Sequence, residues 1–261
     1  MDIYGYLGRI GYTGSLEPTP GTLKQLHRAH MLCVPFENLD IFLGRPIVLD
    51  VESFYEKIVT QGRGGYCFEQ NSLFAWLLTR LGFSVKMLSA QVVYNGLPGP
   101  EFDHMVLLVQ TDKPLIADVG FGDSFIEPIG FDGEAVWQQG FSYCLEASGD
   151  HWVMKRQSPG LDWTPQYMFS SVPRQLSDFS TMNEFHQHSP DSIFTRKVVC
   201  SKATMDGRIT LSKNRLILTA GSHREERAVA NEGDWRKLLN RYFDIDIADT
   251  GASIPFSERG L

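Results

Sequence analysis

The chain has 261 residues, 43% hydrophobic and 21% charged, a composition that buries a core and excludes a disordered, collagenous or membrane-like chain. A net charge of −7 leaves no long-range basic field for nucleic acid or an anionic membrane, so an anionic substrate would need local cations. The four cysteines (Cys33, Cys67, Cys144, Cys200) lack CxxC spacing and suit free thiols; with no cationic leader ahead of an apolar run at Met1-Asp2-Ile3-Tyr4, we expect a cytoplasmic protein that is not exported.

Up to about residue 82 the pattern is helical. Ile3, Tyr6, Leu7 and Ile10 recur at helical spacing, Leu23, Leu26, His30 and Cys33 nearly so, and Val51, Phe54, Tyr55 and Ile58 follow Asp50, a plausible N-cap. A fourth helix is predicted to start near Cys67, turn Leu73, Phe74, Leu77, Leu78 and Leu81 inward, and stop at Gly82. Beyond Gly82 the period changes to two or to short apolar runs: Val85 to Val93, Met105 to Val109, Leu115 to Val119, Phe141 to Leu145 and Trp152 to Met154. Soft linkers are expected around residues 95 to 103 and 158 to 165, and a helix within Arg174 to Asp191. Strands near Lys197 to Ala203, Arg208 to Ser212 and Arg215 to Thr219 follow, and a last helix from about Asp234 carries Trp235, Leu238, Leu239 and Tyr242 on one face.

The stretch Arg63-Gly64-Gly65-Tyr66-Cys67 places a cysteine at a predicted helix start. A helix N-terminus carries about half a positive elementary charge and unpaired N–H groups, which would lower the thiol pKa and make Cys67 a nucleophile. Glycines before it let a carbonyl approach the backbone, where free N–H groups hold an oxyanion. The competing reading of Cys67 is a small buried hydrophobe. A nucleophile needs a base and an orienting group. His104, at the entry of an apolar strand, and Asp118, embedded in the next, are the candidates. Side chains alternate across a sheet, so the two share a face only if residues paired across the hairpin have numbers with an even sum. Asp118 would then accept Nδ1–H from His104 while the other ring nitrogen faces Cys67. The pairs His27/His30 and His186/His188 have no ligands at zinc spacing, and Gly120-Phe121-Gly122 is no phosphate loop, so neither a metal nor a nucleotide fingerprint is read here.

Together Pro35-Phe36-Glu37-Asn38-Leu39, Arg63 to Asn71, His104-Met105-Val106-Leu107-Leu108 and Asp118-Val119-Gly120-Phe121-Gly122 resemble the arylamine N-acetyltransferases, with Ser189 to Phe194 a weaker later match. The resemblance implies an α+β fold in three parts: a helical domain (1–82) carrying the nucleophile, a β-barrel-like domain (83–190) carrying His and Asp, and an α/β lid (191–261). Their triad would be arranged as in cysteine proteases. It implies Cys67 as nucleophile, His104 as base and acid, and Asp118 as orienter, with Arg63, Glu37 and Asn71 as supporting polar residues. Phe36, Val92, Phe121 and Phe194 would line an apolar amine cleft. The implied reaction moves an acetyl group from acetyl-coenzyme A, a cosubstrate rather than a bound cofactor, through acetyl-Cys67 to an aromatic amine or hydrazine, with ping-pong kinetics. Two other readings stay open: an amide synthase of the same family, for which the lie of Ser253 to Leu261 matters, and a non-catalytic binding protein. No nucleic-acid or membrane partner is expected, and the oligomeric state is not legible.

Overall fold

The computed structural model describes residues 1–221 and 223–247. Helices α1 (Ile3–Arg9) and α2 (Pro20–Cys33) are followed by the short strand β1 (Phe36–Glu37), then α3 (Leu39–Phe42), α4 (Val51–Tyr55) and α5 (Cys67–Arg80). Local chemistry sets their ends. Thr19 caps α2 through Thr22 N–H, Asp50 caps α4 through Ser53 N–H, and α5 ends where Gly82 takes a positive φ of 94°. A π-helical turn, Glu56–Thr60, continues α4.

Nine strands follow: β2 (Ser84–Tyr94), β3 (Leu97–Pro98), β4 (His104–Gln110), β5 (Leu115–Ala117), β6 (Ile129–Gly130), β7 (Val136–Gln138), β8 (Phe141–Ser148), β9 (His151–Gln157) and β10 (Thr164–Arg174). Their antiparallel order is β6-β5-β4-β2-β10-β9-β8-β7, with β3 folded back on β2. The sheet curls until β6 lies against β8, giving a nearly closed barrel filled by Leu88, Val106, Ile116, Phe125, Met154, Tyr167 and Phe169. Strand β10 pairs both β2 and β9 within what sequence reading treats partly as a linker; its Pro165 and Pro173 sit beside shifts of register that spare the missing N–H groups.

Helices α6 (Ser180–His188) and α7 (Ile193–Arg196) lead to β11 (Val199–Ala203), β12 (Gly207–Ser212), β13 (Arg215–Ala220) and β14 (His223–Ala228), then α8 (Glu232–Phe243). This second antiparallel sheet runs β1-β11-β12-β13-β14, so an N-terminal strand forms one edge of a C-terminal sheet. Trp235, Leu239 and Phe243 of α8 pack with Leu211 and Leu216 beneath it. The charged edge strand β14 escapes the hydrophobic pattern, because Arg224, Glu225, Glu226 and Arg227 pair with one another in solvent. All four cysteines are free, and among the described residues no helix is long and apolar enough to cross a membrane.

Candidate active site

The loop before α5 is built by close approach. A Cβ at Gly64 would overlap the Pro35 carbonyl oxygen, and Gly65 forms a parallel bridge with Phe36, its carbonyl accepting from Glu37 N–H at 2.9 Å. Tyr66 is the N-cap, its N–H bound to Glu69 Oε2 at 3.0 Å, and Cys67 opens the helix. From the other side, a Cβ on Gly120 would come within 2.7 Å of Cys67 Cα, so only glycine lets the segment after β5 rest on Cys67.

Cys67 is 2% exposed, and this corrects one expectation. Burial pushes its thiol well above the ordinary value, the Asp103 and Asp118 carboxylates push the same way, and only the Phe68 and Met105 N–H groups oppose them. Desolvation and the two carboxylates thus oppose the thiolate that the helix start was expected to favour.

The hairpin meets the parity condition. Leu107↔Ala117, Leu108↔Ile116 and Val109↔Leu115 are pairs with an even sum, which puts His104 and Asp118 on one face. His104 Nε2 lies 2.8 Å from Asp118 Oδ2. The bond therefore uses Nε2, not the expected Nδ1. With Nε2 engaged by Asp118, Nδ1 is the ring nitrogen that remains.

Burial works to raise the Asp118 carboxyl, yet His104, Asn71 and the Gly120 N–H hold it below the usual value. Asn71 Nδ2 donates to Asp118 Oδ1 at 3.0 Å and to Met105 O at 2.7 Å, and its Oδ1 accepts from Val119 N–H at 2.9 Å. One turn after Cys67, this side chain ties α5 to both strands of the hairpin.

Arg63 and Glu37 stand a layer away. Arg63 Nη2 lies 2.7 Å from Glu37 Oε1 and 3.0 Å from Asp40 Oδ1, and Lys57 Nζ lies 2.8 Å from both Asp40 and Glu69. This buried ion cluster braces the residue 63–66 loop, through Glu69 on the Tyr66 N–H and Glu37 Oε2 on the Leu39 N–H at 2.7 Å. Within it, burial raises the Glu69 carboxyl to about 7 against the pull of Lys57.

A cavity of about 640 Å³ lies between the two sheets, with Phe36 and Phe121 on its wall beside Lys197, Arg208 and Arg224. The Phe121 ring stands edge-on to His104 at 5.2 Å, and Tyr167 packs on the same imidazole at 5.3 Å. Phe194 contacts Phe36 at 6.1 Å and His186 at 4.9 Å, whereas Val92 pairs with Tyr167 in the barrel wall; neither lines this cavity.

Sequence reasoning put His30 on the apolar stripe of the second helix and weighed the His27/His30 pair as metal ligands, giving neither a part in the site. Both are fully buried and bonded to the frame of the site; His30 already stood on the inward stripe, and the i, i+3 spacing that puts His27 beside it is the signal that could have found the pair. Among the described residues no group of three or more His, Cys, Asp or Glu side chains is arranged to hold a metal.

A family model described as N-acetyltransferase matches residues 20–252. The chain is 35% identical over 259 residues to an arylamine N-acetyltransferase of Mycolicibacterium smegmatis, covering 95% of this chain and 94% of the relative. It is 33% identical over 262 residues to an arylamine N-acetyltransferase of Escherichia coli, covering 98% and 93%. Among solved structures, the Mycobacterium marinum arylamine N-acetyltransferase superposes with a TM-score of 0.90 at 31% identity, covering 96% and 95%. The same protein in complex with CoA superposes at 0.89, with the same identity and coverage. With matches along nearly its whole length and the same helix, barrel and sheet arrangement, the chain is an acyltransferase that belongs to the arylamine N-acetyltransferase family.

Proposed function

We propose that this protein transfers an acetyl group from acetyl-coenzyme A to an aromatic amine or hydrazine through an acetyl-cysteine at Cys67. The observation that carries the reading is the 2.8 Å bond between His104 and Asp118 on one face of a hairpin whose following glycine, Gly120, rests against the Cys67 backbone. In the first half-reaction the Cys67 proton passes to His104 Nδ1 as sulfur attacks the thioester carbonyl. The bond from that carbonyl to the coenzyme sulfur breaks, and the departing thiolate takes the proton back. In the second, the amine nitrogen attacks acetyl-Cys67 and His104 accepts its proton; the bond from the acetyl carbon to Cys67 sulfur breaks, His104 returns the proton to that sulfur, and the amide departs. Asp118 holds the imidazole in the tautomer with hydrogen on Nε2.

Segments 1–82 and 83–190 supply these groups, and the described part of 191–261 closes the cavity over them. The cavity between the sheets suits the donor. Lys197, Arg208 and Arg224 line it, Arg208 paired with Asp123 and Arg224 with Glu226, so the phosphates of the cosubstrate would compete with these carboxylates for the two guanidinium groups. Phe36 and Phe121 offer a flat acceptor apolar contact beside His104.

The test is intact mass spectrometry of the protein mixed with acetyl-coenzyme A without amine, alongside Cys67→Ala. One acetyl group on the wild type alone, discharged by adding an arylamine, is the expected result; an unmodified wild type would refute the reading.

A further inference from the structure

Beyond the triad, two side chains on one turn of α2 reach both halves of the site. His27 and His30 are wholly buried, three residues apart on the inward face. His27 Nε2 lies 3.0 Å from the Asp118 backbone nitrogen, and Nδ1 lies 2.8 Å from the Ile126 carbonyl oxygen. A peptide N–H only donates and a carbonyl only accepts, so the tautomer follows: Nδ1 carries the proton and Nε2 the lone pair. The ring is stacked on Phe125 at 5.6 Å and meets the edge of Phe74 at 5.9 Å, which fixes its plane.

His30 serves the other half. Its Nε2 lies 2.9 Å from Gln70 Oε1, while Nδ1 lies 2.7 Å from the Tyr6 hydroxyl. Gln70 directs its amide nitrogen to Gly65 O at 2.6 Å and Pro35 O at 3.3 Å, so both of its hydrogens are used and its oxygen faces His30 as acceptor. The chain Tyr6–His30–Gln70 thus ends on the carbonyl two residues before Cys67. Burial keeps both imidazoles neutral, His27 at about 4 and His30 at about 3.

We propose that His27 and His30 are a paired positioning device, His27 setting the backbone from which Asp118 reaches His104 and His30, through Gln70, setting the loop that delivers Cys67. Neither touches the reacting atoms. Because both project from one helical turn, α2 holds the base side and the nucleophile side of the site in one rigid reference, and neither contact lies in the ion cluster around Arg63.

The inference rests on the acyl-transfer reading, so acetylation of wild-type Cys67 is its control; a wild type that takes no acetyl group refutes that reading itself. The test compares His27→Gln, whose amide oxygen replaces the Nε2 acceptor, with His27→Asn, whose amide reaches only the Nδ1 position. Rates of Cys67 acetylation are measured from pH 5 to 9, together with melting temperature. The asparagine variant is expected to lose up to about a hundredfold in acetylation rate, the cost of a misplacement of about 1 Å at a reacting centre, and to shift the pH profile as Asp118 loses its hold on His104. The glutamine variant retains most of both. Equal losses in the two variants with an unshifted profile would overturn the proposal, as would wild-type rates in a folded His27→Asn. If neither folds, Gln70→Leu tests the other arm: a slower acetylation with an unshifted profile is expected, and an unchanged rate overturns it.

Discussion

Asp118 is a fully buried carboxylate that accepts from His104, Asn71 and Gly120 N–H, so its geometry is over-determined while its charge is the quantity that matters. Asp118→Asn should keep the fold and lower acetyl transfer by about 10⁴-fold, because an amide can present N–H to the ring and impose the wrong tautomer. Steady-state transfer to an arylamine measures it; a loss below tenfold would remove Asp118 from the mechanism. Gly120→Ala is a second test at this scale. Its methyl group would press on Cys67 Cα and the Asn71 amide, both anchored, so a drop in transfer is expected with little change in donor affinity. The raised thiol at Cys67 shows how one residue obeys two rules at once: its helix position favours the thiolate, and its burial, with two nearby carboxylates, opposes it more strongly.

The elements that carry these residues are held by buried polar contacts as much as by apolar packing. Arg63, Glu37, Asp40, Lys57 and Glu69 form a connected cluster in which each charge has a partner, so removing one strands another. Arg63→Met is expected to cost about 3 to 5 kcal/mol of stability, read by urea unfolding. The buried imidazoles of α2 and α6 set a pH dependence of their own. His27 and His186 are held at about 4 and His30 at about 3, below the unfolded value of 6.5. The groups facing them are Asp118 and Glu127 for His27, Gln70, Tyr6 and Arg9 for His30, and Asp103, His104 and Ser192 for His186. The unfolded chain binds more protons than the folded one in that window, so their contribution is full above pH 6.5 and declines as pH falls towards 4. Melting temperature should therefore drop across pH 6.5 to 4, and less steeply in His186→Gln.

At the scale of the whole molecule, Asn38 joins the parts. Its Nδ2 donates to Phe194 O at 3.0 Å and Lys197 O at 2.9 Å, and its Oδ1 accepts from Val199 N–H at 2.9 Å, beside the pairing of β1 with β11. The cavity between the sheets depends on that junction. Asn38→Ala should cost about 2 to 4 kcal/mol, since buried backbone groups lose their partners, and should weaken use of the acyl donor more than turnover. Calorimetry and the KM for acetyl-coenzyme A measure the two effects, and an unchanged KM would show that the junction does not shape the donor site.

Periodicity alone found the helices at Ile3, Pro20, Val51 and Cys67 and the hairpin of His104 and Asp118, because each has its apolar face and its caps within a dozen residues. The residues proposed for the triad were legible as a spacing of chemical types, and the family as a set of short motifs. What depended on distant neighbours was not. The pairing of Phe36 with Ser201, the strand that carries Pro165 and Pro173, and the charged edge at His223–Ala228 show no local pattern, since each is stabilised by a partner strand far along the chain. The segment Ser253 to Leu261, on which the amide-synthase alternative turned, lies outside the described residues. The choice of Nε2 over Nδ1, the raised Cys67 thiol and the service of His27 and His30 were decided only by tertiary structure, because hydrogen-bond direction and desolvation are set by what surrounds a group, and sequence spacing records only its order along the chain.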